Sequence, residues 1–288
     1  MGRETGIAWC HHTFNPWWGC VKISPACTNC YAESLDARWG GDHWGPNTER
    51  KIASERYWKS PLAWDRAAER DGVRRRVFCA SMSDVFEDRR DLDEHRRRLW
   101  RLIEDTPNLD WLLLTKRPQN IATMLPVPLI KSPTTLVPFF RNVWLGTTVE
   151  NQEYADERIA TLLANPAVVH FISAEPLLGE LDLAPWVGPI DDPETGAPLQ
   201  SLAWVITGSE SGRGARPQNV DWFRSLRDQC EAAGIAFLFK QANPERGDVD
   251  VPIDAIKSGP GSYSGFGTMI ELPYLDGVQH AAFPTVLR

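Results

Sequence analysis

Three cysteines near the start of the chain have the residue type and spacing of a metal-binding site. Cys20, Cys27 and Cys30 are separated by six and two residues, and the glycine, proline and polar residues between them predict a loop. Thiolates are soft ligands that favour zinc or an iron-sulfur cluster over magnesium or calcium. We therefore expect these three cysteines to bind one metal centre.

The fourth ligand decides which kind of centre this is. If Cys10 completes the set, or His11 or His12 in its place, the site is closed, as in structural zinc sites and four-thiolate clusters. If no residue completes it, one metal position stays free for a substrate or cofactor. We expect Cys10 not to bind, because it lies within a first strand predicted at residues 5–14, before the loop.

The composition indicates a globular protein of a reducing compartment. The 288 residues are 42% hydrophobic, which is enough for a full core in one domain. There is no apolar N-terminal signal and no run of eighteen apolar residues, and the cysteines are not spread as a disulfide framework. We expect a cytoplasmic protein that does not enter a membrane. The net charge of −7 argues against non-specific coating of nucleic acid.

Apolar runs alternate with helical patterns along most of the chain. Besides the opening strand, strands are predicted at residues 77–82, 111–116, 142–149, 168–174, 202–208 and 236–241. Helices are predicted directly after Tyr31 and at residues 61–76, 92–105, 120–125, 154–164 and 220–233. Near-continuous apolar strands that alternate with helices are typical of a parallel sheet covered on both faces.

This pattern predicts an α/β protein with a partial or closed parallel β/α barrel, and a doubly wound open sheet is the alternative. We assign the barrel to residues 1–242 and the loop that carries the three cysteines, here called the Cys loop, to residues 15–31. Residues 40–61 are irregular and rich in tryptophan, and they predict an inserted loop beside it. Residues 243–288 are rich in glycine, proline and serine, which predicts a capping extension of the same domain.

Polar side chains follow each apolar run at the point where the strand ends. They are Ser81, Ser83, Asp84, Thr115, Lys116, Arg117, Thr147, Thr148, Glu150, Ser173, Glu175, Thr207, Ser209, Glu210, Lys240 and Gln241. The carboxyl ends of parallel strands form the face on which such folds carry their sites. The Cys loop also follows a strand, so we expect it to open onto a polar cup lined by Lys116, Glu150, Glu175 and Glu210.

Several motifs carry a family resemblance that covers most of the chain. They read N-P-W-W-G-C-V-K-I-S-P-A-C-T-N-C-Y-A-E, S-M-S-D-V-F, L-L-T-K-R-P, G-T-T-V-E-N, I-S-A-E-P-L-L-G, G-S-E-S-G-x-G-A-R-P and F-L-F-K-Q. The chain resembles a phage three-cysteine-motif family, which is in turn similar to radical S-adenosylmethionine (SAM) enzymes of the spore photoproduct lyase branch. Radical SAM enzymes usually space their cysteines by three and two residues, whereas the first gap here is six.

The resemblance implies an enzyme of lyase or transferase type with a radical-SAM-like barrel. Cys20, Cys27 and Cys30 would hold a [4Fe-4S] cluster, whose free iron binds SAM and cleaves it to a 5′-deoxyadenosyl radical. By position, Ser81, Ser83 and Asp84 are implied to bind the amino end of SAM, Lys116 its carboxylate, and Thr148 or Glu150 its ribose. Glu175 is a further residue implied to bind SAM. Cys79 would return a hydrogen atom to the product radical, and Lys116 and Glu210 are the other catalytic candidates.

The implied partners are an electron donor protein and a nucleic acid base or nucleotide, which the enzyme would modify or repair. The tryptophans of residues 40–64 offer platforms on which a base could stack, although packing in the core is the simpler interpretation. Two alternatives stay open at this point. One is a zinc-stabilised protein that binds nucleic acid or another partner. The other is a hydrolase or nuclease in which Glu150, Glu175 and Glu210 bind magnesium and the cluster is structural.

Overall fold

A computed structural model describes residues 5–126, 140–191, 198–211, 214–242, 272 and 274–286. Its strands are β1 His12–Phe14, β2 Trp17–Trp18, β3 Lys51–Ile52, β4 Arg75–Cys79, β5 Leu109–Thr115, β6 Val143–Thr148, β7 Val169–Ala174, β8 Ile190–Asp191, β9 Pro198–Leu199, β10 Trp204–Gly208, β11 Ala236–Gln241, β12 Tyr274–Leu275 and β13 Val278–Gln279. Seven of them form one parallel sheet in the order β1-β4-β5-β6-β7-β10-β11, and the others form two-stranded antiparallel ribbons.

The helices cover the outer face of this sheet. They are α1 Tyr31–Arg38, α2 Glu55–Trp58, α3 Ser60–Asp71, α4 Asp93–Glu104, α5 Ile121–Met124, α6 Gln152–Leu163 and α7 Val220–Ala233. The bounds of α7 were predicted correctly, because Asn219 accepts a hydrogen bond from the Asp221 N–H at its start and Gly234 ends it with a φ of 68°. Within the described ranges, no helix has the length and apolar character needed to cross a membrane.

Two predicted boundaries were wrong by five residues or more, and others, such as those of β4 and α6, by two or three. The helix predicted at residues 61–76 ends at Asp71, because Gly72 adopts a φ of 65° and closes the helix, and Arg75 already belongs to β4. The opening strand begins at His12 instead of residue 5, since the preceding residues turn back on themselves, with the Cys10 N–H bonded to the Ile7 carbonyl at 3.2 Å.

The sheet is a curled, partial barrel. Trp9, just before β1, lies 6.2 Å from Trp204 at the start of β10, measured between ring centroids. These strands are five positions apart in the sheet, which would separate them by about 24 Å in a flat sheet with strands about 4.8 Å apart. Among the described residues, the edge strands β1 and β11 do not pair, so the barrel stays open. Strand order follows chain order without a reversal, which excludes the doubly wound alternative.

The inner face of the half-barrel is filled by large aromatic side chains. Trp9, Phe78, Trp144, Phe171 and Trp204 belong to one buried cluster on this face. The ring of Phe171 takes the space that a side chain at position 146 would need, since a Cβ on Gly146 would lie 2.4 Å from it. The aromatic layer closes the interior and leaves the carboxyl ends of the strands as the open, polar side.

The described part of the C-terminal extension packs against the amino-terminal side of the barrel. The N–H of Phe239 in β11 donates to the His280 carbonyl at 3.0 Å, beyond the β12–β13 hairpin. Phe283 lies 5.2 Å from the Trp204 ring and beneath the Arg76 guanidinium, so it touches two strands that are not neighbours. These contacts agree with a capping extension. The predicted extension also includes residues 243–271, which lie outside the described residues.

His12 is an unusual polar residue within this core. Its ring stacks on Trp64 with 4.3 Å between centroids, and neither ring nitrogen has a hydrogen-bond partner in the described part of the chain. Burial, together with the charges of Arg75 and His11, lowers the pKa of His12 to about 4. The neutral imidazole is therefore part of the packed core.

We predict that His12 makes the fold sensitive to acid. Below the usual pKa of 6.5 the imidazole is protonated in the unfolded chain but stays neutral in the folded chain until about pH 4. The contribution of neutral His12 to the free energy of unfolding is therefore complete above about pH 6.5 and is lost as the pH falls towards 4. His12→Phe keeps the stack on Trp64 and removes the titration. In urea unfolding at pH 7 and pH 4.5, the variant should lose less stability than the wild type between the two. An equal loss in both proteins would contradict the prediction.

Candidate metal and cofactor site

The Cys loop follows β1 and places its three sulfur atoms at the carboxyl-terminal side of the sheet. Cys27 ends a short 3-10 turn, Pro25–Cys27, and Cys30 is the residue at which α1 begins. All three thiols are free and partly exposed. The helix predicted directly after Tyr31 is confirmed, and its N-terminus lies beside Cys30, where a helix favours negative charge.

The turn before the first cysteine is fixed by the residues that follow β4. Asn15 accepts a hydrogen bond from the Met82 N–H at 2.8 Å, and its side chain also bonds the Ser81 hydroxyl. The Gly19 N–H donates to the Met82 carbonyl at 3.0 Å. The Ser81 hydroxyl is therefore hydrogen-bonded to the Asn15 amide. This contact explains the asparagine in the motif N-P-W-W-G-C.

Residues 40–53 cover the same turn. The inserted loop was predicted beside the Cys site at residues 40–61, but the segment becomes helical at α2, Glu55–Trp58. The Gly45 N–H donates to the Cys20 carbonyl at 3.0 Å. Gly19 has a φ of +109°, and a Cβ there would lie 2.2 Å from the His43 carbonyl oxygen, so only glycine fits. Arg50 forms a buried ion pair with Glu87 at 2.7 Å and also donates to the His43 carbonyl.

Glu150, at the end of β6, is tied to the Cys loop. Its Oε1 accepts the N–H of Ala26 at 3.2 Å, and its Oε2 is paired with Arg158 at 3.1 Å. The Glu150 and Arg158 side chains are essentially fully buried. Both carboxylate oxygens are used inside the protein, which favours positioning of the loop over the predicted contact with a ribose.

Glu210, after β10, holds the other half of the loop. Its carboxylate accepts from the Asn29 side chain at 2.9 Å, and it pairs with Arg216, whose guanidinium also donates to the Pro25 carbonyl at 3.0 Å. Burial raises the pKa of Glu210, but the hydrogen bonds from Arg216 and Asn29 outweigh it and bring the pKa below its usual value. The charge is satisfied within the protein, where Glu210 positions the loop, and the catalytic role assigned to Glu210 stays a prediction.

Asp84 connects the turn after β4 with the first cysteine. Its carboxylate accepts from the Thr115 hydroxyl at 2.8 Å and pairs with Arg117 at 2.9 Å. Arg117 lies 3.7 Å from the Cys20 sulfur and donates to the Val21 carbonyl at 2.9 Å. Burial raises the pKa of Cys20 to about 12, with Asp84 adding to the rise and Arg117 opposing it. Asp84 was predicted to bind the amino end of SAM, whereas here it holds an arginine against Cys20.

Lys116 is the basic side chain of the site that keeps its charge available. In the described structure its ammonium group has neither a hydrogen bond nor an ion pair. Burial alone would raise the pKa of Cys27, but the charge of Lys116 and hydrogen bonds at Ile23 and Ser24 bring it below its usual value. Lys116 therefore lies close enough to influence the Cys loop and remains free to meet an anion.

A polar layer lies above the aromatic layer on the inner face. Thr148 and Ser173 are register partners, and Lys116 comes level with them because it follows Thr115, the partner of Thr147. Further along, Glu175 pairs with Lys240 at 2.9 Å. Ser83, in the turn after β4, has a buried hydroxyl without a hydrogen-bond partner among the described residues. The structure thus brings Ser83, Lys116, Thr148 and Glu175 to the same end of the barrel.

Cys79 does not belong to this end of the inner face. It is fully buried in the apolar cluster under the helices, with Phe14 and Trp111, and burial raises the pKa of its thiol. Phe78 beside it faces the interior, so by strand alternation Cys79 faces outward. This placement is that of a structural core thiol, and the role of hydrogen-atom donor stays a prediction.

The zinc alternative is not supported. Cys10 lies before β1, buried with Phe78 and Leu112 at the amino-terminal side, whereas the Cys loop follows the other end of that strand. His11 accepts the Arg76 N–H at 2.9 Å, and His12 is stacked in the core. In the ranges that the structure describes, no three Cys, His, Asp or Glu side chains are placed around a single ion.

The magnesium alternative fails for a different reason. Glu150, Glu175 and Glu210 are each paired with a basic side chain, respectively Arg158, Lys240 and Arg216. A carboxylate that is neutralised by an arginine or lysine is a poor ligand for a divalent cation, because the two cations compete for the same oxygens. These three residues do not form a magnesium site in this conformation.

The tryptophans of residues 40–64 were considered as platforms for a base. Trp58 and Trp64 are buried in the core, which agrees with packing. Trp39 at the end of α1 is 58% exposed and Tyr31 at its start is 44% exposed. An exposed aromatic side chain thus lies at each end of α1, and the one beside the Cys loop is Tyr31.

Sequence reasoning missed the residues that hold the loop. They are Asn15, Asn29, Arg117, Arg158 and Arg216. Arg158 and Arg216 pair with carboxylates that are close in sequence, whereas the loop atoms held by these pairs are more than a hundred residues away. Position relative to a strand end shows where a residue lies, but it does not reveal whether the side chain turns to a ligand or to a neighbouring loop.

Fold and site together define a partial parallel β/α barrel that carries a three-cysteine loop after its first strand. Residues 4–270 match the protein family described as "Protein of unknown function (DUF5131)", and the chain belongs to this family. The resemblance to a phage three-cysteine-motif family stays a prediction. No curated protein sequence matches the chain.

Among solved structures, the chain is similar to spore photoproduct lyase mutants. One, with bound AdoMet and dinucleoside spore photoproduct, has a TM-score of 0.43 and 13% identity, covering 88% of this chain and 67% of that chain. A single mutant gives a TM-score of 0.42 and 12% identity, with coverage of 93% and 69%. A likeness at these TM-scores carries no information on activity.

We predict that Glu150 stabilises both the fold and the loop. Glu150→Ala leaves the buried Arg158 charge without a partner, which should lower the free energy of unfolding by about 3–5 kcal/mol in urea titrations. It also leaves the Ala26 N–H unbonded, so hydrogen exchange should accelerate in a peptide covering residues 20–30.

Two further variants separate these effects. Adding Arg158→Met to Glu150→Ala should restore part of the stability without restoring slow exchange at Ala26. Glu157→Ala removes an exposed carboxylate from the same helix and should change stability by no more than about 0.5 kcal/mol. Unchanged exchange in Glu150→Ala would show that the carboxylate does not hold the loop.

Proposed function

We propose that this protein is a radical-SAM-like enzyme that holds a [4Fe-4S] cluster through Cys20, Cys27 and Cys30. The observation that carries the proposal is the set of three free thiols in one fixed loop, next to an unpaired lysine at the carboxyl ends of parallel strands. A passive electron carrier would need no available cation beside its cluster. It would also more often close the cluster with a fourth thiolate.

The residues present fit such a cluster better than a single ion. Each cysteine of a [4Fe-4S] cluster binds a different iron, so the sulfur atoms lie further apart than around one zinc ion, where each would be about 2.3 Å from the metal. Among the described residues the three thiols are not grouped around a single-ion position, and each is free to bind its own iron. The N-terminus of α1 at Cys30 and the charges of Lys116 and Arg117 compensate the negative charge of thiolates.

When bound, a cluster with one iron free of protein ligands chelates SAM and supplies the electron that yields a 5′-deoxyadenosyl radical. Lys116 is assigned to the SAM carboxylate, because its ammonium is unpaired among described residues and lies near the loop. The buried Ser83 hydroxyl lacks a partner and is available to the amino end of SAM. Thr148 is the candidate for the ribose. The aromatic layer beneath excludes water from the barrel interior.

The proposed substrate is a nucleic acid base or nucleotide, with modification or repair as the outcome. Tyr31 supports this class, because it presents an exposed aromatic ring beside Cys30 and bases stack on such rings. An electron donor protein would reduce the cluster, and dithionite takes its place in the experiment below.

The test is anaerobic reconstitution followed by iron and sulfide analysis and reaction with SAM. The wild type should bind one cluster, and after reduction it should convert SAM to 5′-deoxyadenosine, measured by chromatography with and without a mixed oligonucleotide. Replacing Cys20, Cys27 or Cys30 by alanine should abolish the iron absorption, since each removes an iron ligand.

Cys10→Ala is the matched control, since it removes a buried thiol outside the loop and should keep the cluster. Loss of the cluster in Cys10→Ala alone would overturn the open three-thiolate site. A fully loaded cluster that releases no 5′-deoxyadenosine under either condition would restrict the protein to iron-sulfur binding.

We predict that Lys116→Ala weakens SAM binding by about 1–3 kcal/mol, which is the usual size for a hydrogen bond to a charged group. Isothermal titration of the oxidised, cluster-loaded protein measures this affinity, and iron content should stay at the wild-type level. Lys22→Ala is the control, because Lys22 is an exposed lysine of the Cys loop that pairs with Glu33. Equal affinity in Lys116→Ala and the wild type would exclude the assigned role.

A further inference from the structure

Arg117 is placed between a buried carboxylate and a thiol of the Cys loop. Its Nη1 lies 2.9 Å from Asp84 Oδ2 and 3.7 Å from Cys20 Sγ. Its Nη2 donates to the Val21 carbonyl at 2.9 Å. Among the hydrogen bonds of the described residues, this is the arginine contact made to a cysteine sulfur of the loop, whereas Arg216 reaches the loop only at the Pro25 carbonyl.

The guanidinium is held rigidly by its surroundings. The Arg117 N–H donates to the Thr115 hydroxyl at 2.9 Å, and that hydroxyl donates to Asp84 at 2.8 Å. Asp84 also accepts from the backbone N–H of Phe86 at 2.9 Å and of Lys116 at 3.2 Å. Asp84 is therefore saturated with donors and keeps Arg117 in one orientation.

We propose that Arg117 sets the reduction potential of the cluster by placing a fixed positive charge and a hydrogen-bond donor at the Cys20 sulfur. This inference rests on the proposed cluster. A reduced cluster carries one more negative charge than an oxidised one, and hydrogen bonds and nearby charges at the ligating sulfur are established controls of cluster potential. Arg117 is a positioning residue here, since it acts through Cys20.

The neighbouring basic residues Arg117 and Lys116 act on different cysteines of the loop. Arg117 contacts Cys20, while the charge of Lys116 acts on Cys27 and its ammonium stays available. We therefore assign control of the cluster's reduction potential mainly to Arg117, and SAM binding to Lys116. The two effects are therefore separable by substitution.

The experiment is a redox titration of the reconstituted cluster, followed by electron paramagnetic resonance, in four proteins: the wild type, Arg117→Gln, Arg117→Lys and Arg98→Gln. Glutamine keeps a neutral donor for the Val21 carbonyl and removes the charge. We expect Arg117→Gln to lower the equilibrium constant for cluster reduction at least tenfold. For a one-electron couple this corresponds to a reduction potential that is lower by about 59 mV. Arg117→Lys keeps the charge and should stay closer to the wild type.

Arg98→Gln is the matched control, because it removes an arginine whose ion pair with Glu55 joins α4 to α2 and involves no residue of the Cys loop. Its potential should equal that of the wild type. Equal potentials in Arg117→Gln and the wild type would overturn the inference and leave Arg117 a purely structural role at Val21.

Cluster loading resolves the remaining outcomes. If Arg117→Gln binds no iron but Arg117→Lys binds it at the wild-type potential, the charge is required and the inference stands. If both variants fail to load while their circular dichroism matches the wild type, the planar arginine fork, and not its charge, is what the site requires, and the inference is wrong. A wild type without iron and sulfide would instead overturn the proposed function itself.

Discussion

Buried carboxylates paired with arginines hold the Cys loop on the barrel, and the rest of the site depends on these pairs. They are Asp84 with Arg117, Glu150 with Arg158 and Glu210 with Arg216. A carboxylate removed from water is costly unless a cation and hydrogen-bond donors surround it. The donors come from the loop itself, as the Ala26 N–H and the Asn29 amide show. Loop and strand ends therefore stabilise one another, and neither reaches this arrangement alone.

The barrel could be predicted from the sequence because each strand is recognisable from its own residues. Strands β5, β6, β7, β10 and β11 are buried on both faces, so their apolar runs are visible without knowledge of their neighbours. Helix ends were correct where a cap residue marks them, as at Asn219 and Gly234. The opening strand was predicted too long, because an apolar run also describes residues that turn, such as Ile7 to Cys10.

The site was harder to predict because its partners are distant in sequence. The polar residues after the strands were correctly placed at one end of the barrel, but their roles depend on which side chain meets them. Glu150 and Glu210 were assigned to a ligand, whereas each is satisfied by an arginine and by the Cys loop. The orientation of Cys79 also depends on the fold, because strand alternation turns its side chain towards the helices, where it is buried.

The long gap between the first two cysteines has a physical explanation in these contacts. The residues between Cys20 and Cys27 offer backbone groups to three strand ends: Val21 to Arg117 after β5, Ala26 to Glu150 after β6, and Pro25 to Arg216 after β10. Val21, Pro25 and Ala26 lie between the two cysteines, and β5, β6 and β10 are not all neighbours in the sheet. The length of the spacer therefore lets one segment contact three strand ends, and these contacts fix the loop to its barrel.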